Sequence, residues 1–370
     1  MTLTALDNDS LRIGILAPPW VPVPPEAYGG TESVVDRLAK GIEKAGHEVR
    51  LWATGDSTCP VARGSAYPTA QTIAMGSSAI ELRHTLAGYE WLADQGCDII
   101  HDHTLVGPHL SATDLPVITT NHGPFDSPEL ASIYRNVPRR IPIIAISRHQ
   151  ASLAPAHGVH VSHVIHHGID ISEIPAGAGR GDEAGRYLLF LGRMSPAKGV
   201  LQAIDIARSA GWRLLIAAKM REAEEREFFD AVVGPRCTDG VEYVGEVGGI
   251  AKQQLIGSAS ALLNPIQWHE PFGLVMIEAL AAGTPVIATP RGAAPEIVLD
   301  GTTGFLANTN ADLTRAVHSI DDIDRSRCRL DVARRFSVEK MVDRHVAAYF
   351  QTVSVQPRRT RSPAALLSVT

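Results

Sequence analysis

The sequence predicts an α/β protein with two doubly wound domains, each built on a parallel sheet covered by helices. The chain has 370 residues, more than one domain of roughly 100–200 residues usually holds. Short runs rich in Ile, Val and Leu alternate with longer segments whose apolar residues recur at helical spacing, a pattern typical of βαβ units. This alternation stops in the glycine-rich segment 171–186 and restarts beyond it, so we predict a linker there.

Residues 1–170 are predicted to form the first Rossmann-like domain. Its first helix is predicted over 31–45, where Val34, Leu38 and Ile42 share one face and Thr31 suits the N-cap position. The apolar runs predicted as buried parallel strands are 12–17, 47–53, 98–101, 116–120 and 141–146.

Residues 187–336 are predicted to form the second domain on the same plan. A helix over 337–354 is expected to return to the first domain, and the basic tail 355–370 is expected to be disordered. Open α/β sheets bind ligands beyond the carboxyl ends of their strands, so the cleft between the domains is the expected site. The runs predicted as strands are 187–192, 213–218, 241–245, 261–264 and 284–288.

Composition excludes several classes of protein. With 34 basic and 40 acidic residues the formal net charge is −6, which argues against a general nucleic-acid binder. The polar first ten residues do not resemble a signal peptide, and no apolar stretch is long enough to span a membrane. The four cysteines are too scattered for a disulfide framework or a zinc site, so we expect a cytoplasmic protein. They are Cys59, Cys97, Cys237 and Cys328.

The most informative segment runs from residue 269 to 286, HEPFGLVMIEALAAGTPV, with Glu270 and Glu278 eight residues apart. On one continuous helix these carboxylates would be about 12 Å apart along the axis and turned by about 80°. Pro271 and Gly273 instead predict that Glu270 lies in a loop and that a helix starts near Leu274. The amides around 272–275 would then suit an anionic or hydroxyl-rich ligand. The alternative is that Glu278 only complements the helix dipole.

Two further segments suit phosphate. Arg193 and Lys198 follow a predicted strand, and together they offer a bidentate clamp and a mobile point charge for a diphosphate. Gly29 and Gly30 precede the first helix and would let its backbone approach a phosphate. The alternatives are a solvated basic pair and a plain tight turn. The lack of G-x-G-x-x-G argues against a dinucleotide-dependent dehydrogenase.

Histidines occur at two places. His122 lies at the end of a predicted strand facing the cleft, and we predict a functional role for it. Asp102 and His103 end the neighbouring strand, where a structural role is favoured. Five more histidines fall between 157 and 167, but no carboxylate or cysteine pattern completes a ligand set, so we predict no metal site.

The E-x7-E pattern within HEPFGLVMIEALAAGTPVIAT resembles the signature of the family 4 retaining glycosyltransferases. The resemblance extends over Leu11–Phe350 and implies the GT-B fold, in which two Rossmann-like domains face each other across a cleft. It implies that Glu278 holds the ribose hydroxyls of a nucleotide. Glu270, with the backbone of Phe272, Gly273 and Leu274, would hold the transferred sugar.

The same resemblance assigns the other site residues. Arg193 and Lys198 would bind the donor diphosphate, Gly29 and Gly30 would touch a donor phosphate, and His122 would lie beside the sugar ring. The base would be read by backbone groups around Val244. The chain departs from the family's usual Asn-Gly-(Val/Ile)-Asp, because His167 replaces the asparagine.

The implied activity is retaining transfer of a hexosyl group from a UDP- or GDP-sugar bound by the second domain. The acceptor hydroxyl would belong to a small molecule, a glycan or a lipid-linked compound bound by the first domain. No metal or other cofactor is expected, and neither is a nucleic-acid partner. The alternatives are a nucleotide-sugar epimerase or hydrolase of the same fold and a non-catalytic sugar-nucleotide-binding protein. Basic residues at 135, 139, 140 and 148 leave peripheral contact with an anionic membrane open, although a solvated face is favoured.

Overall fold

The computed structural model describes residues 10–110 and 113–355, which form two parallel sheets with helices packed on them. Residues 356–370, nearly all of the predicted disordered tail, lie outside the described residues, and Val355 ends the last helix. No helix in the described part of the chain is long and apolar enough to cross a membrane.

The first sheet has seven parallel strands in the order β3-β2-β1-β4-β5-β6-β7. Its central strands β1, β4 and β5 are buried except at Arg12, as the runs of Ile and Val predict. Its strands are β1 Arg12–Leu16, β2 Glu48–Trp52, β3 Ala62–Gly64, β4 Ile99–Asp102, β5 Val117–Asn121, β6 Ile143–Ala145 and β7 His163–Val164. Its α-helices are α1 Gly30–Lys44, α2 Ser78–Asp94, α3 Pro128–Tyr134 and α4 Arg148–Leu153.

The second sheet has six parallel strands in the order β10-β9-β8-β11-β12-β13. Its strands are β8 Tyr187–Arg193, β9 Arg213–Lys219, β10 Val241–Gly245, β11 Ala261–Asn264, β12 Val286–Ala288 and β13 Gly304–Leu306. The α-helices are α5 Val200–Ala210, α6 Ala223–Phe228, α7 Gly249–Ser258, α8 Leu274–Ala281, α9 Ala294–Ile297, α10 Asn310–His318, α11 Arg325–Arg335 and α12 Val338–Val355.

In both sheets the strand order reverses next to the first strand, between β1 and β4 and between β8 and β11. Helices that follow neighbouring strands then leave on opposite faces, which opens a crevice at the carboxyl ends. His103 and Arg193 lie at these two reversal points. The topology therefore places Arg193, a predicted site residue, and His103, which lies next to the predicted His122, where α/β folds bind ligands.

The last helix, α12, packs on the first sheet rather than on the second. Met341, Val342 and Tyr349 are buried in the same hydrophobic core as the β1 side chains. Gly41 of α1 permits the close approach, since a Cβ atom there would lie 2.6 Å from Cγ2 of Val342. The chain thus crosses back to the first domain after completing the second.

The glycine-rich segment 171–186 lies along the second domain and is hydrogen-bonded to it. The amide of Gly177 donates to the carbonyl of Ala282 at 2.8 Å, and that of Gly179 donates to Gly257 at 3.1 Å. A Cβ atom on Gly177 would overlap the Gly257 backbone at 2.1 Å. The glycines of segment 171–186 therefore allow its backbone to pack closely against the second domain as well as to turn.

Candidate active site

The first domain reaches the cleft through the start of α1. This helix begins at Gly30 with Gly29 as its N-cap, so the predicted Thr31 cap is wrong by two residues. A Cβ atom on Gly29 would lie 2.6 Å from Cβ of Pro25, so only glycine fits at this position. A Cβ atom on Gly30 would lie 3.5 Å from Cδ1 of Leu274, the first residue of α8. The starts of the two helices therefore face each other across the cleft.

Glu270 lies in a loop, as predicted, and its main chain is clamped by the segment before α9. The amide of Ala293 donates to the carbonyl of Glu270 at 3.0 Å. Gly292 has a φ of 59°, and a Cβ atom there would lie 2.2 Å from the same carbonyl oxygen. Only glycine satisfies both the left-handed conformation and this close approach. The main chain that carries the Glu270 side chain is thus held in place.

The Glu270 carboxylate is paired within the site. Oε2 accepts hydrogen bonds from Nζ of Lys198 and from Nε1 of Trp268, the latter at 3.0 Å. The Lys198 ammonium also lies 5.5 Å from the centre of the Trp268 ring. The side chains of Lys198 and Glu270 are both 15% exposed. The structure therefore joins the cation predicted for diphosphate to the carboxylate predicted for the sugar.

The helix α8 starts at Leu274, which confirms the predicted boundary. Gly273 is its N-cap with a φ of 96°, and a Cβ atom there would lie 2.5 Å from Cε of Met276. Phe272 is 2% exposed and packs edge-on against the His167 ring at 5.0 Å. Of the first amides of α8, that of Met276 donates to the carbonyl of the N-cap Gly273 at 3.0 Å, whereas those of Leu274 and Val275 have no hydrogen-bond partner in the described part of the chain. The amides of Leu274 and Val275 are therefore available to bind an anion or a hydroxyl group.

Glu278 is buried on α8 and is held by two cations. Nζ of Lys252, on α7, lies 2.7 Å from Oε2, and Nη2 of Arg37, on α1, lies 3.5 Å from Oε1. Burial alone would raise the pKa of Glu278, but Lys252 and Arg37 outweigh it and lower the pKa. Arg37 belongs to the first domain, so this group crosses the cleft. Sequence reasoning missed both cations, because neither belongs to a recognisable motif.

Arg193 ends β8 beside Lys219, its register partner at the end of β9. The Arg193 guanidinium has no hydrogen bond or ion pair within residues 10–110 and 113–355, so its donors remain available. Lys219, by contrast, is 8% exposed and paired with Glu222 and, at 3.6 Å, with Glu225. The free cation at these strand ends is therefore the one that the sequence predicted for the diphosphate.

Val244 lies on β10, the edge strand of the second sheet, and is 40% exposed. An edge strand presents backbone N–H and C=O groups without a strand partner. Nearby, the amide of Tyr28 donates to Oε1 of Glu246 at 3.1 Å, which ties the glycine loop of the first domain to this edge. Backbone groups around Val244 are thus close to the entrance of the cleft.

His122 follows β5 and belongs to a group of five packed histidines, which we call the histidine cluster. Its Nε2 lies 2.8 Å from Nδ1 of His103, and its ring stacks on His167 at 5.4 Å. Burial lowers the pKa of His122 to about 3 and that of His345 to about 4. Burial also lowers the pKa values of the other three well below the usual range. The cluster, neutral at pH 7, consists of His101, His103, His122, His167 and His345.

This cluster should make the fold sensitive to acid. The unfolded chain gains protons as the pH falls through 6.5, whereas the folded histidines stay neutral to about pH 4. At one pH unit below 6.5, each such histidine should therefore lower the free energy of unfolding by about 1.4 kcal/mol. Urea unfolding of the wild type and of His345→Asn, measured from pH 7.5 to 5.5, checks this. The free energy of unfolding should fall less steeply with decreasing pH in the variant, by the slope that corresponds to about one fewer bound proton. Equal slopes in the two proteins would contradict the expectation.

Two further contacts join the domains near the cleft. Nδ1 of His269 lies 2.9 Å from Oδ2 of Asp126. The Glu296 carboxylate, on α9, accepts the amides of Arg148 and His149 at 3.0 and 2.7 Å and lies 2.8 Å from Nε2 of His166. None of these pairings could be predicted from the sequence, because each joins segments more than a hundred residues apart.

The sequence predicts no metal site, and the described residues can be searched for groups of metal-ligating side chains. In the part of the chain that the structure describes, no group of three or more His, Cys, Asp and Glu side chains is placed to hold a metal ion. Independence from metals stays a prediction.

Two facing Rossmann-like domains with basic strand ends, a glycine loop before α1, and Glu270 and Glu278 on the loop and helix of one segment define a protein of the GT-B glycosyltransferase type. Residues 28–173 match the model of Glycosyltransferase Family 4, and residues 185–321 match that of Glycosyl transferases group 1. The chain belongs to the family 4 glycosyltransferases and has the GT-B fold.

Among its relatives is the phosphatidyl-myo-inositol mannosyltransferase of Mycolicibacterium smegmatis, 29% identical over 328 residues, which are 80% of each chain. Among solved structures, AviGT4, a glycosyltransferase involved in avilamycin A biosynthesis, is 24% identical with a TM-score of 0.73. That match covers 93% of this chain and 98% of AviGT4. The sucrose-phosphate synthase of Thermosynechococcus elongatus is 18% identical with a TM-score of 0.78, over 93% of this chain and all of that one.

Proposed function

We propose that this glycosyltransferase moves a hexosyl group from a UDP- or GDP-sugar to an acceptor hydroxyl, with retention of the anomeric configuration. One observation carries the proposal. Three groups occur together on the second domain: the Arg193 guanidinium, which has no ion pair or hydrogen bond in the described part of the chain, the Lys198–Glu270 pair, and the amides of Leu274 and Val275 at the start of α8. This set can hold both a diphosphate and the sugar attached to it.

The leaving diphosphate would gain negative charge as its bond to C1 of the sugar breaks. Arg193 and Lys198 would stabilise that charge, and the amides at the starts of α1 and α8 would assist from the two domains. Because Gly29 and Gly30 carry no side chains, the backbone of the first domain can approach the phosphate closely. The site therefore provides cationic stabilisation of the leaving group from its own side chains.

Retention is proposed to follow from attack on the same face that the diphosphate leaves. The acceptor oxygen forms a bond to C1, the C1–O bond to phosphate breaks, and the acceptor proton passes to a diphosphate oxygen. Oε2 of Glu270 is ion-paired with Lys198 and accepts a hydrogen bond from Trp268, so Glu270 is suited to orient a sugar hydroxyl through Oε1 rather than to attack C1. His122 would contact the sugar from the first domain.

The remaining assignments are proposed on the same basis. Glu278 would bind the ribose hydroxyls, Val244 and its neighbours would read the base, and the acceptor would enter from the first domain. The similar Mycolicibacterium protein is a mannosyltransferase. We therefore propose mannose as the first hexose to test and a lipid-linked alcohol as the first acceptor.

Thermal unfolding with UDP, GDP and ADP tests the donor, because a nucleotide at 100 times its Kd should stabilise the fold by about 2.7 kcal/mol. The matching nucleotide sugar is then assayed with EDTA present, with and without acceptors. We expect transfer only with an acceptor and the same anomer in donor and product. Full conversion without an acceptor would favour an epimerase, and no response to any nucleotide would contradict the proposal.

A further inference from the structure

We propose that His103 is a positioning residue that holds His122 in one tautomer, with its proton on Nδ1. The inference rests on the proposed function only in what His122 then does to the sugar. The tautomer itself follows from the histidine cluster and can be measured without any substrate.

The two imidazoles meet where β4 and β5 end beside each other. Nδ1 of His103 lies 2.8 Å from Nε2 of His122, and the ring planes are 30° apart. His103 is buried, and its other nitrogen, Nε2, has no hydrogen-bond partner. His122 is partly exposed, and its Nδ1 has no hydrogen bond in the described part of the chain. Each ring therefore has one nitrogen in the shared hydrogen bond and one outside it.

A neutral imidazole carries one N–H donor and one acceptor nitrogen. Burial lowers the pKa of both rings, so one proton must serve their shared hydrogen bond. If His122 donated, His103 would carry its own proton on the buried, unpartnered Nε2. An orphaned buried N–H is rare and costly. If His103 donates through Nδ1, only a lone pair is left without a partner. The second arrangement is favoured.

The position of the proton on His122 follows. Since Nε2 of His122 accepts from His103, its own proton is on Nδ1, the nitrogen without a protein partner. His122 would then donate a hydrogen bond to an oxygen of the sugar and would not take a proton from the acceptor. This matches the proposed route, in which that proton goes to the diphosphate.

The carboxylate next to His103 is not available to reverse this arrangement. Oδ2 of Asp102 accepts from the Tyr89 hydroxyl at 2.5 Å, and Oδ1 accepts from the amide and hydroxyl of Thr104 at 2.7 and 2.8 Å. The rings packed around His103 are the neutral His101, at 4.1 Å between ring centres, and His122. A carboxylate at position 103 itself would have the opposite effect, because an ionised carboxylate can only accept.

Two substitutions of nearly equal size separate these cases. In His103→Asn, the amide N–H can take the place of the Nδ1 donor, so His122 should keep its proton on Nδ1. In His103→Asp, at pH 8 where the carboxylate is ionised, His122 should carry its proton on Nε2, and its pKa should rise. Long-range ¹H–¹⁵N NMR of the 15 histidines reports the tautomer. His122 is assigned from the signal lost in His122→Asn.

We expect His103→Asn to keep kcat within about threefold and His103→Asp to lower it by about tenfold or more, as for loss of one donor to the reacting group. The Kd of the free nucleotide should not change in either variant. A wild-type His122 with its proton on Nε2 would overturn the inference. So would a tautomer switch in His103→Asp without loss of kcat. If the wild type transfers no sugar at all, the proposed function fails while the NMR result still decides the tautomer.

Discussion

Replacing Lys198 with methionine is expected to lower kcat/KM for sugar transfer by roughly 10²–10³-fold. Methionine keeps the length of the side chain but removes the charge that would stabilise the departing diphosphate. It also leaves Trp268 as the only remaining donor to Oε2 of Glu270 among the contacts seen here. Steady-state kinetics with the donor identified by thermal shift give the measurement. The Kd of the free nucleoside monophosphate, which lacks the second phosphate, should hardly change.

A double-mutant cycle with Glu270→Gln separates the two roles of Lys198. If Lys198 mainly holds Glu270, the double variant should be little worse than either single variant, because partners in one contact are not additive. If Lys198 mainly stabilises the diphosphate, the fold-losses in kcat/KM of the two single variants should nearly multiply in the double variant. Arg221, an exposed cation paired with Glu246, offers a control, and Arg221→Met should keep kcat/KM within about twofold. Activity of Lys198→Met near the wild-type level would contradict the assignment.

The central strands were predictable from the sequence because they are buried on both faces. Such strands read as continuous apolar runs, as in residues 12–16 and 261–264. The strands missed are β3, β7 and β13, each of two or three residues at or near a sheet edge. They hold few apolar side chains and are formed by pairing with a neighbour rather than by local pattern. Edge strands of two or three residues are therefore the part of this fold that local sequence does not specify, whereas the five-residue edge strand β10 was predicted.

For the candidate site, sequence predicted the groups that come from one continuous segment. Glu270, Gly273 and the helix start at Leu274 follow from local chemistry, namely a proline, a glycine with positive φ and an apolar run. The partners of these groups could not be predicted in the same way. Trp268 has its role because Lys198 packs over it from a segment 70 residues earlier. The donor from His103 to His122 depends in turn on the register of β4 and β5.

Arg37 and Lys252 are further partners of a predicted site residue that could not be predicted from the sequence. On the sequence Arg37 is an ordinary polar residue of an amphipathic helix, and Lys252 is a single basic residue in the first turns of α7 with no motif around it. Only the packing of α1 and α7 against α8 brings both within reach of Glu278. Their effect is to keep this carboxylate ionised although it is buried, and an ionised carboxylate is a strong acceptor for two neighbouring hydroxyls. The function proposed for Glu278 therefore depends on cations that its own motif does not contain.

Replacing Glu278 with glutamine should weaken nucleotide binding by roughly 10–100-fold. This corresponds to the loss of about 1.5–3 kcal/mol for hydrogen bonds to a charged group. The amide can accept only at one atom, and Arg37 and Lys252 would be left without their counter-charge. Isothermal titration with the nucleotide that stabilises the wild type gives the Kd, and kcat at saturating donor should fall much less than kcat/KM.

The matched control for this substitution is Glu173→Gln. Glu173 lines the same pocket as Glu278, but its side chain is 55% exposed and lies 3.5 Å from Lys40. Glu173→Gln removes one negative charge from the pocket, as Glu278→Gln does, but it removes no buried acceptor. The Kd of the nucleotide should therefore stay within about twofold. Equal losses in the two variants would mean that the pocket attracts the nucleotide only through its net charge. A loss confined to Glu278→Gln would mean that the carboxylate itself contacts the ligand, because of the two positions only Glu278 combines burial with two cationic partners.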